Sequence, residues 1–97
     1  MKLYFAENFL NAFAELPKGI QKKVYDFIIK FRCNSLSHSL HLEPISTFKD
    51  RHLRTARVDL KYRAIIYAND SGEEYYLLWV DNHDEAMQWA SNKIFNW

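Results

Sequence analysis

The clearest pattern in this chain is an apolar stripe at helical spacing in its second quarter. Its members recur every three or four positions, as one face of a helix requires, and lysines occupy other faces. The stripe consists of Ile20, Val24, Phe27, Ile28 and Phe31. This spacing predicts an amphipathic helix that begins soon after Pro17 and buries the apolar face.

A strand and a shorter helix are predicted ahead of that stripe. The segment "KLYFA" at 2–6 has the composition of a short strand. Glu7 or Asn8 can then cap a helix that continues through Leu16, because Pro17 breaks or restarts a helix at that point. Two amphipathic helices therefore follow the first strand.

Strand-like composition dominates the second half of the chain. Segments 53–58, 62–68 and 75–80 are rich in β-branched and aromatic residues, and "NDSG" at 69–72 is typical of a tight turn between the last two. Such short connections favour antiparallel neighbours. The pattern predicts a three-stranded antiparallel meander.

The remaining segments complete the order of elements. Residues 34–49 are polar without a clear period, which indicates a loop with a short extended piece near Leu42. The end of the chain resumes helical spacing with Ala86, Trp89 and Ala90. The order β-α-α-β-β-β-α predicts one α+β domain over residues 1–97, with an antiparallel sheet packed against two N-terminal helices.

Charge is distributed unevenly along the chain, although the formal net charge is only +1. Residues 49–63 contain six Lys or Arg against two acids, whereas residues 64–92 contain six acids and no Lys or Arg. A site for a polyanion is therefore expected in the middle third.

Several classes of protein are disfavoured by composition. Cys33 is the only cysteine, which excludes an internal disulfide and a cysteine-rich zinc site and suits the reducing cytoplasm. No apolar run approaches the roughly 20 residues of a membrane span, and the N-terminus lacks the apolar core of a signal peptide. We expect a cytoplasmic protein without a membrane partner.

Cofactor and metal signals are weak. Gly19 and Gly72 are the only glycines, so a glycine-rich phosphate loop is absent and no cofactor is expected. His38 and His41 could join His52 or Glu43 as metal ligands, but a pair of loop histidines at this spacing is a common accident. We therefore predict no metal site.

The stretch "HLRTARVDLKYRAIIY" at 52–67 places arginines within predicted strands. If residues 59–61 form a three-residue turn, Arg57 and Arg63 become cross-strand partners with side chains about 5 Å apart. A two-residue turn would instead put them on opposite faces. Opposed guanidinium groups require an anion, which could be an acid such as Asp59 or a bound phosphodiester. Arg54 should project to the other face and contact a rim or a partner.

Cleavage of RNA needs a base for the 2′-hydroxyl and an acid for the leaving oxygen, in addition to a phosphate site. His83 follows the last predicted strand and could reach the sheet face, or it could simply cap or precede the final helix. Tyr62 and Trp89 could stack on unpaired bases, although aromatics of a small sheet usually pack in its core. With Arg54 and Lys61, they form the predicted set of RNA contacts.

The motifs resemble those of the RelE/ParE superfamily of bacterial toxins over nearly the whole chain. "LRTARVDLKYRAIIY" is similar to a hairpin of that family, and "YYLLWVDNHDEAMQWA" is similar to its last strand and the segment after it. The resemblance implies a small α+β domain and an antitoxin partner. It further implies cleavage of ribosome-bound mRNA without metal in the nuclease branch, or gyrase inhibition in the ParE branch.

Within the nuclease branch, the chain resembles the YoeB-like toxins at separate positions. "EPI" places Glu43, "YR" places Arg63 and "NH" places His83 in the matching motifs, and Arg57 matches a further basic position. By this resemblance Glu43 is the general base and His83 is the general acid. Arg57 and Arg63 stabilise the charge of the phosphorane.

The tail supports a second interpretation. "LLWVDNHDEAMQWA" also resembles a RelE-like domain at the N-terminus of some UvrD-type superfamily 1 helicases. That resemblance implies a non-catalytic interaction or regulatory module, with a fused or partner helicase, instead of a free toxin.

Overall fold

The computed structural model describes residues 2–33 and 42–95 and contains the predicted elements in the predicted order. The α+β fold is confirmed. A strand of only two residues is added close to the extended piece expected near Leu42. The elements are β1 (Lys2–Phe5), α1 (Glu7–Ala14), α2 (Lys18–Cys33), β2 (Glu43–Pro44), β3 (Leu53–Arg57), β4 (Tyr62–Ala68), β5 (Glu74–Asn82) and α3 (His83–Ser91).

The five strands form one sheet in the order β1-β5-β4-β3-β2. Strands β3, β4 and β5 are the antiparallel meander that the sequence predicts, and β2 pairs with β3 in the same manner. The first strand lies beside the last one in parallel, from Lys2 opposite Glu74 to Phe5 opposite Leu77. The sheet is therefore mixed.

The first helix is shorter than its sequence pattern indicates. It ends at Ala14 and not at Leu16, and Ala6 occupies the N-cap position without a side-chain hydrogen bond. The predicted cap by Glu7 or Asn8 is therefore wrong. The break at Pro17 is confirmed, since α2 begins at the next residue.

Helices cover both faces of the sheet. The core under α1 and α2 includes Phe9, Val24, Phe27, Phe31, Ala56, Ala64, Ile66 and Leu77. The core under α3 includes Phe48, Leu53, Ile65, Tyr67, Leu78, Ala86 and Ala90. Each large side chain that is fully buried contributes about 1.5–3 kcal/mol to stability. The third helix therefore stabilises the fold by covering the sheet face opposite to α1 and α2 with a second apolar core.

An irregularity in the β4–β5 ladder determines which residues face each other near its end. Ile66 lies opposite Leu77, whereas Ile65 lies opposite Trp79, so Leu78 is an extra residue on β5. Because of this bulge, Arg63 lies opposite Asp81. An unbroken register would have placed Val80 there.

Candidate active site

Arg57 and Arg63 are direct cross-strand partners on β3 and β4. The amide of Val58 donates to the carbonyl of Tyr62 at 3.0 Å, which leaves residues 59–61 as the turn. The predicted three-residue turn and the opposed arginines are confirmed. We call Arg57 and Arg63 the arginine pair.

The arginine pair is crowded and incompletely hydrogen-bonded. Burial and the adjacent charge of Arg57 hold the pKa of the Arg63 guanidinium below its ordinary value, although Asp59 and Glu43 oppose this effect. Nη1 of Arg63 donates to the carbonyls of Asp59 at 2.7 Å and Tyr62 at 3.1 Å. Nε of Arg57 is buried and has no hydrogen-bond partner in the described part of the chain. Two like charges held this closely favour a bound anion.

Asp59 does not neutralise the arginine pair through its carboxylate. Its Oδ2 accepts a hydrogen bond from Nζ of Lys23 at 3.1 Å, and its Oδ1 accepts from two amides of its own turn. Asp81, across the strand from Arg63, has its Oδ1 engaged by the amide of Asn82 at 2.8 Å. Among the described residues, neither guanidinium forms an ion pair with a carboxylate.

Glu43 lies on the same sheet face as the arginine pair. It pairs with Thr55 on β3, and Thr55 and Arg57 share a face because strand side chains alternate. Strand spacings put its Cα about 8 Å from that of Arg57. Its side chain is exposed. The fold therefore places an exposed carboxylate, from a separate strand, on the sheet face that carries the two guanidinium groups.

The main chain of His83 contacts the β3–β4 turn from the side of β5, whereas Glu43 lies on the side of β2. The amide of His83 donates to the carbonyl of Lys61 at 2.7 Å, so its main chain is attached to the turn that connects the two arginines. The imidazole is 52% exposed, and its Nδ1 lies 3.1 Å from Oδ1 of Asp84. His83 begins α3, but the cap is Asn82, whose Oδ1 accepts from the amide of Glu85 at 3.0 Å.

Comparison with solved structures gives consistent matches to this fold. The chain is similar to the YoeB/ParE toxin from Agrobacterium tumefaciens, with a TM-score of 0.66 and 15% identity over 86% of this chain and 99% of that one. It is similar to RelE in the RelE–RelB complex from Pyrococcus horikoshii, with a TM-score of 0.66 and 17% identity over 88% and 97% of the two chains. For YafQ from E. coli, the TM-score is 0.68 and the identity 12%, over 87% and 94%.

This chain has the RelE/ParE toxin fold. The predicted resemblance to that superfamily is thereby confirmed at the level of the fold. No model of a protein family matches the chain, and no curated protein sequence matches it. The likeness of its tail to helicase-associated domains stays a prediction.

In this RelE/ParE fold, the predicted RNA contacts do not form one surface. Arg54 lies opposite Ile66, on the face covered by α1 and α2, and its Nη1 donates to the carbonyls of Arg51 at 2.6 Å and Leu53 at 3.0 Å. Its expected projection away from Arg57 is confirmed. Lys61 is exposed in the turn, and Tyr62 is half-buried.

Trp89 is engaged by neighbouring side chains. Its ring stacks on Trp79 with centroids 4.9 Å apart and planes 7° apart, and Nζ of Lys93 lies 4.9 Å from its centroid. Asp81 and Glu85 line the adjacent groove. These carboxylates repel a phosphate backbone, so the predicted stacking of an RNA base on Trp89 meets an unfavourable surface.

The described residues contain no group of three or more His, Cys, Asp or Glu arranged to hold a metal ion. His38 and His41, on which the alternative metal site depended, lie outside the described residues. His52 contacts two carboxylates, with its Nδ1 3.1 Å from Asp50 and its Nε2 2.7 Å from Asp70. Within residues 2–33 and 42–95, no helix has the length and apolar character to cross a membrane.

Sequence reasoning missed that Asp81, which lines the acidic groove, also lies opposite Arg63 of the candidate site. Asp81 faces Arg63 only because the bulge at Leu78 shifts the register by one residue. The acidic tail was visible in the sequence, but the hydrophobic pattern of β5 gives no sign of an extra residue.

Proposed function

We propose that this chain is the toxin-like component of a toxin–antitoxin system and cleaves ribosome-bound mRNA without a metal ion. The observation that carries the proposal is the opposition of Arg57 and Arg63 on one sheet face. Glu43 lies on the same face, and the main chain of His83 is attached to the intervening turn. Cleavage next to a 2′-hydroxyl uses a general base, a general acid and cations that stabilise the phosphorane. The carboxylate, the imidazole and the arginine pair can serve in these three roles.

The proposed reaction is an internal transfer of the phosphoryl group. Glu43, as the carboxylate, removes the proton of the 2′-hydroxyl, and the oxygen attacks the adjacent phosphorus. The arginine pair holds the negative charge that develops on the phosphorane. The bond from phosphorus to the 5′-oxygen then breaks, and His83, as the imidazolium, donates a proton to that oxygen. The products are a 2′,3′-cyclic phosphate and a free 5′-hydroxyl.

An antitoxin partner is part of the proposal. Two similar structures are complexes of this kind, namely RelE with RelB from Pyrococcus horikoshii and YafQ with DinJ from E. coli.

A second candidate is a non-catalytic module of the same fold, attached to or regulating a superfamily 1 helicase. The groove beside Trp79 and Trp89 favours this candidate, because its charged lining residues Asp81 and Glu85 are acids, which suit a protein partner better than RNA. Gyrase inhibition is a third candidate, and a supercoiling assay separates it from RNA cleavage.

The deciding experiment measures translation and mRNA integrity after induced expression. The toxin proposal expects arrest of translation, cleaved mRNA on ribosomes, and relief of the arrest by His83→Ala or Arg63→Ala. Leu60→Ala is the matched control, because Leu60 is 82% exposed in the same turn. Cleavage of free RNA by the purified protein should persist in EDTA, and this assay omits ribosomes because they need Mg²⁺ to stay assembled. Full toxicity of both site variants would reject the site, and arrest without cleavage would reject the nuclease activity.

A further inference from the structure

The turn between β3 and β4 is organised by the carboxylate of Asp59. Oδ1 accepts hydrogen bonds from the amides of Lys61 and Tyr62, both at 2.8 Å. Oδ2 accepts from Nζ of Lys23 on α2 at 3.1 Å. An aspartate that accepts from amides two and three residues later is a characteristic stabiliser of a local turn.

The same turn makes contact with two groups of the candidate site. The carbonyl of Asp59 accepts from Nη1 of Arg63 at 2.7 Å. The carbonyl of Lys61 accepts from the amide of His83 at 2.7 Å. A change in the turn would therefore move a guanidinium group and the first residue of α3 together.

Turn length also determines the face on which each arginine lies. With residues 59–61 in the turn, Arg57 and Arg63 are paired on one face. A two-residue turn formed by the same sequence would shift the register by one residue and separate the two side chains onto opposite faces. The hydrogen bonds to Oδ1 of Asp59 stabilise the three-residue alternative.

We propose that Asp59 is a positioning residue that holds the arginine pair and His83 in one arrangement through its bonds to the turn amides. This inference rests on the proposed function only in that the arginine pair binds phosphate. Lys23 has a minor part, because its side chain is 55% exposed and exposed ion pairs are weak. The Oδ1 acceptor is the essential feature, and asparagine can supply it.

The test compares Asp59→Ala, Asp59→Asn and Lys23→Met with the natural chain, and Leu60→Ala serves as the control within the turn. The probe is a single-stranded 2′-deoxyoligonucleotide, which lacks the attacking hydroxyl and so reports binding without cleavage. We expect Asp59→Ala to weaken binding at least about tenfold, the loss that one misplaced hydrogen bond between charged groups would cause. Asp59→Asn, Lys23→Met and Leu60→Ala should remain within about threefold.

A second readout separates positioning from a general loss of stability. The NMR resonance of the His83 backbone amide, which donates to the carbonyl of Lys61, should shift in Asp59→Ala and recover in Asp59→Asn when recorded well below the unfolding temperature. If Asp59→Ala does not fold, Asp59→Ser replaces it, and its single hydroxyl acceptor should give a several-fold loss of affinity. An affinity and a His83 amide resonance that both stay unchanged in the folded variant would overturn the inference.

Failure of the proposed function gives a different result. A natural chain that binds the oligonucleotide but leaves RNA intact rejects the nuclease activity, while the affinity series still decides the role of Asp59. A natural chain that binds neither the oligonucleotide nor inorganic phosphate overturns the inference as well, because the arginine pair would then hold no phosphate.

Discussion

Asp81 lies directly opposite Arg63 in the sheet, on the side away from Arg57. The cross-strand row therefore consists of two cations followed by an acid. The carboxylate of Asp81 accepts a hydrogen bond from the amide of Asn82, the next residue of the same strand. The acid limits the positive surface of the candidate site on one side without pairing with the arginines.

Removal of the Asp81 charge should strengthen the binding of polyanions. We expect Asp81→Asn to raise the affinity for a single-stranded 2′-deoxyoligonucleotide and to make its salt dependence steeper, because each additional phosphate contact releases counterions. Titrations at several salt concentrations measure both effects. Glu73→Gln removes the same charge at an exposed position near the opposite end of β5. Equal effects of the two substitutions would assign the change to net charge and not to the site.

The charge of Arg57 should lower the stability of the free protein, while it contributes to anion binding. Arg57→Met keeps an apolar stem and removes the repulsion with Arg63. We expect its free energy of unfolding in chloride to rise by roughly 0.2–1 kcal/mol, the range for cross-strand pairs. Phosphate should stabilise the natural chain more than the variant, by mass action. Urea unfolding in both salts tests this, and a variant that is less stable in chloride would contradict it.

His83 should affect the chemical step and not the binding of substrate. Removal of a general acid lowers a rate by about 10²- to 10⁴-fold, so His83→Gln should reduce single-turnover cleavage by that factor. Its affinity for a 2′-deoxyoligonucleotide should stay the same, because the imidazole is not part of the arginine pair. A loss of affinity without a loss of rate would assign His83 to binding.

Asp50 should make the fold sensitive to acid. Burial disfavours its charged form, but hydrogen bonds from the amides of Phe95 and His52 and from the His52 ring outweigh this and hold its pKa below the ordinary value of 3.8. A lowered pKa in the folded state contributes stability that is complete above pH 3.8 and is lost as the pH falls through the folded value. The difference in unfolding free energy between the natural chain and Asp50→Asn should therefore be largest near neutral pH and shrink in acid. Urea unfolding from pH 7 to pH 2.5 measures it, and a difference independent of pH would contradict this prediction.

Local patterns predicted most of the fold and the centre of the candidate site. The stripe from Ile20 to Phe31 depends on neighbours in sequence, so helix α2 could be inferred directly. The arginine pair could be inferred only on the condition that residues 59–61 form the turn, because a two-residue turn was an equally local alternative. The parallel pairing of β1 with β5 depends on contacts between the two ends of the chain, about which local spacing carries no information. The position of Asp81 was hidden for a different reason, because one extra residue at Leu78 shifts the register by one residue without altering the apolar composition.

The parallel pairing of β1 also has a consequence for biosynthesis. Lys2 leaves the ribosome before its partner Glu74, which is made only after the hairpin of β3 and β4 has been synthesised. That hairpin can form early, because its contacts are local, whereas closing the sheet must wait for β5. A nascent chain interrupted before Glu74 would present β4 with an uncovered edge, and synthesis of β5 would be what protects it from association with other chains.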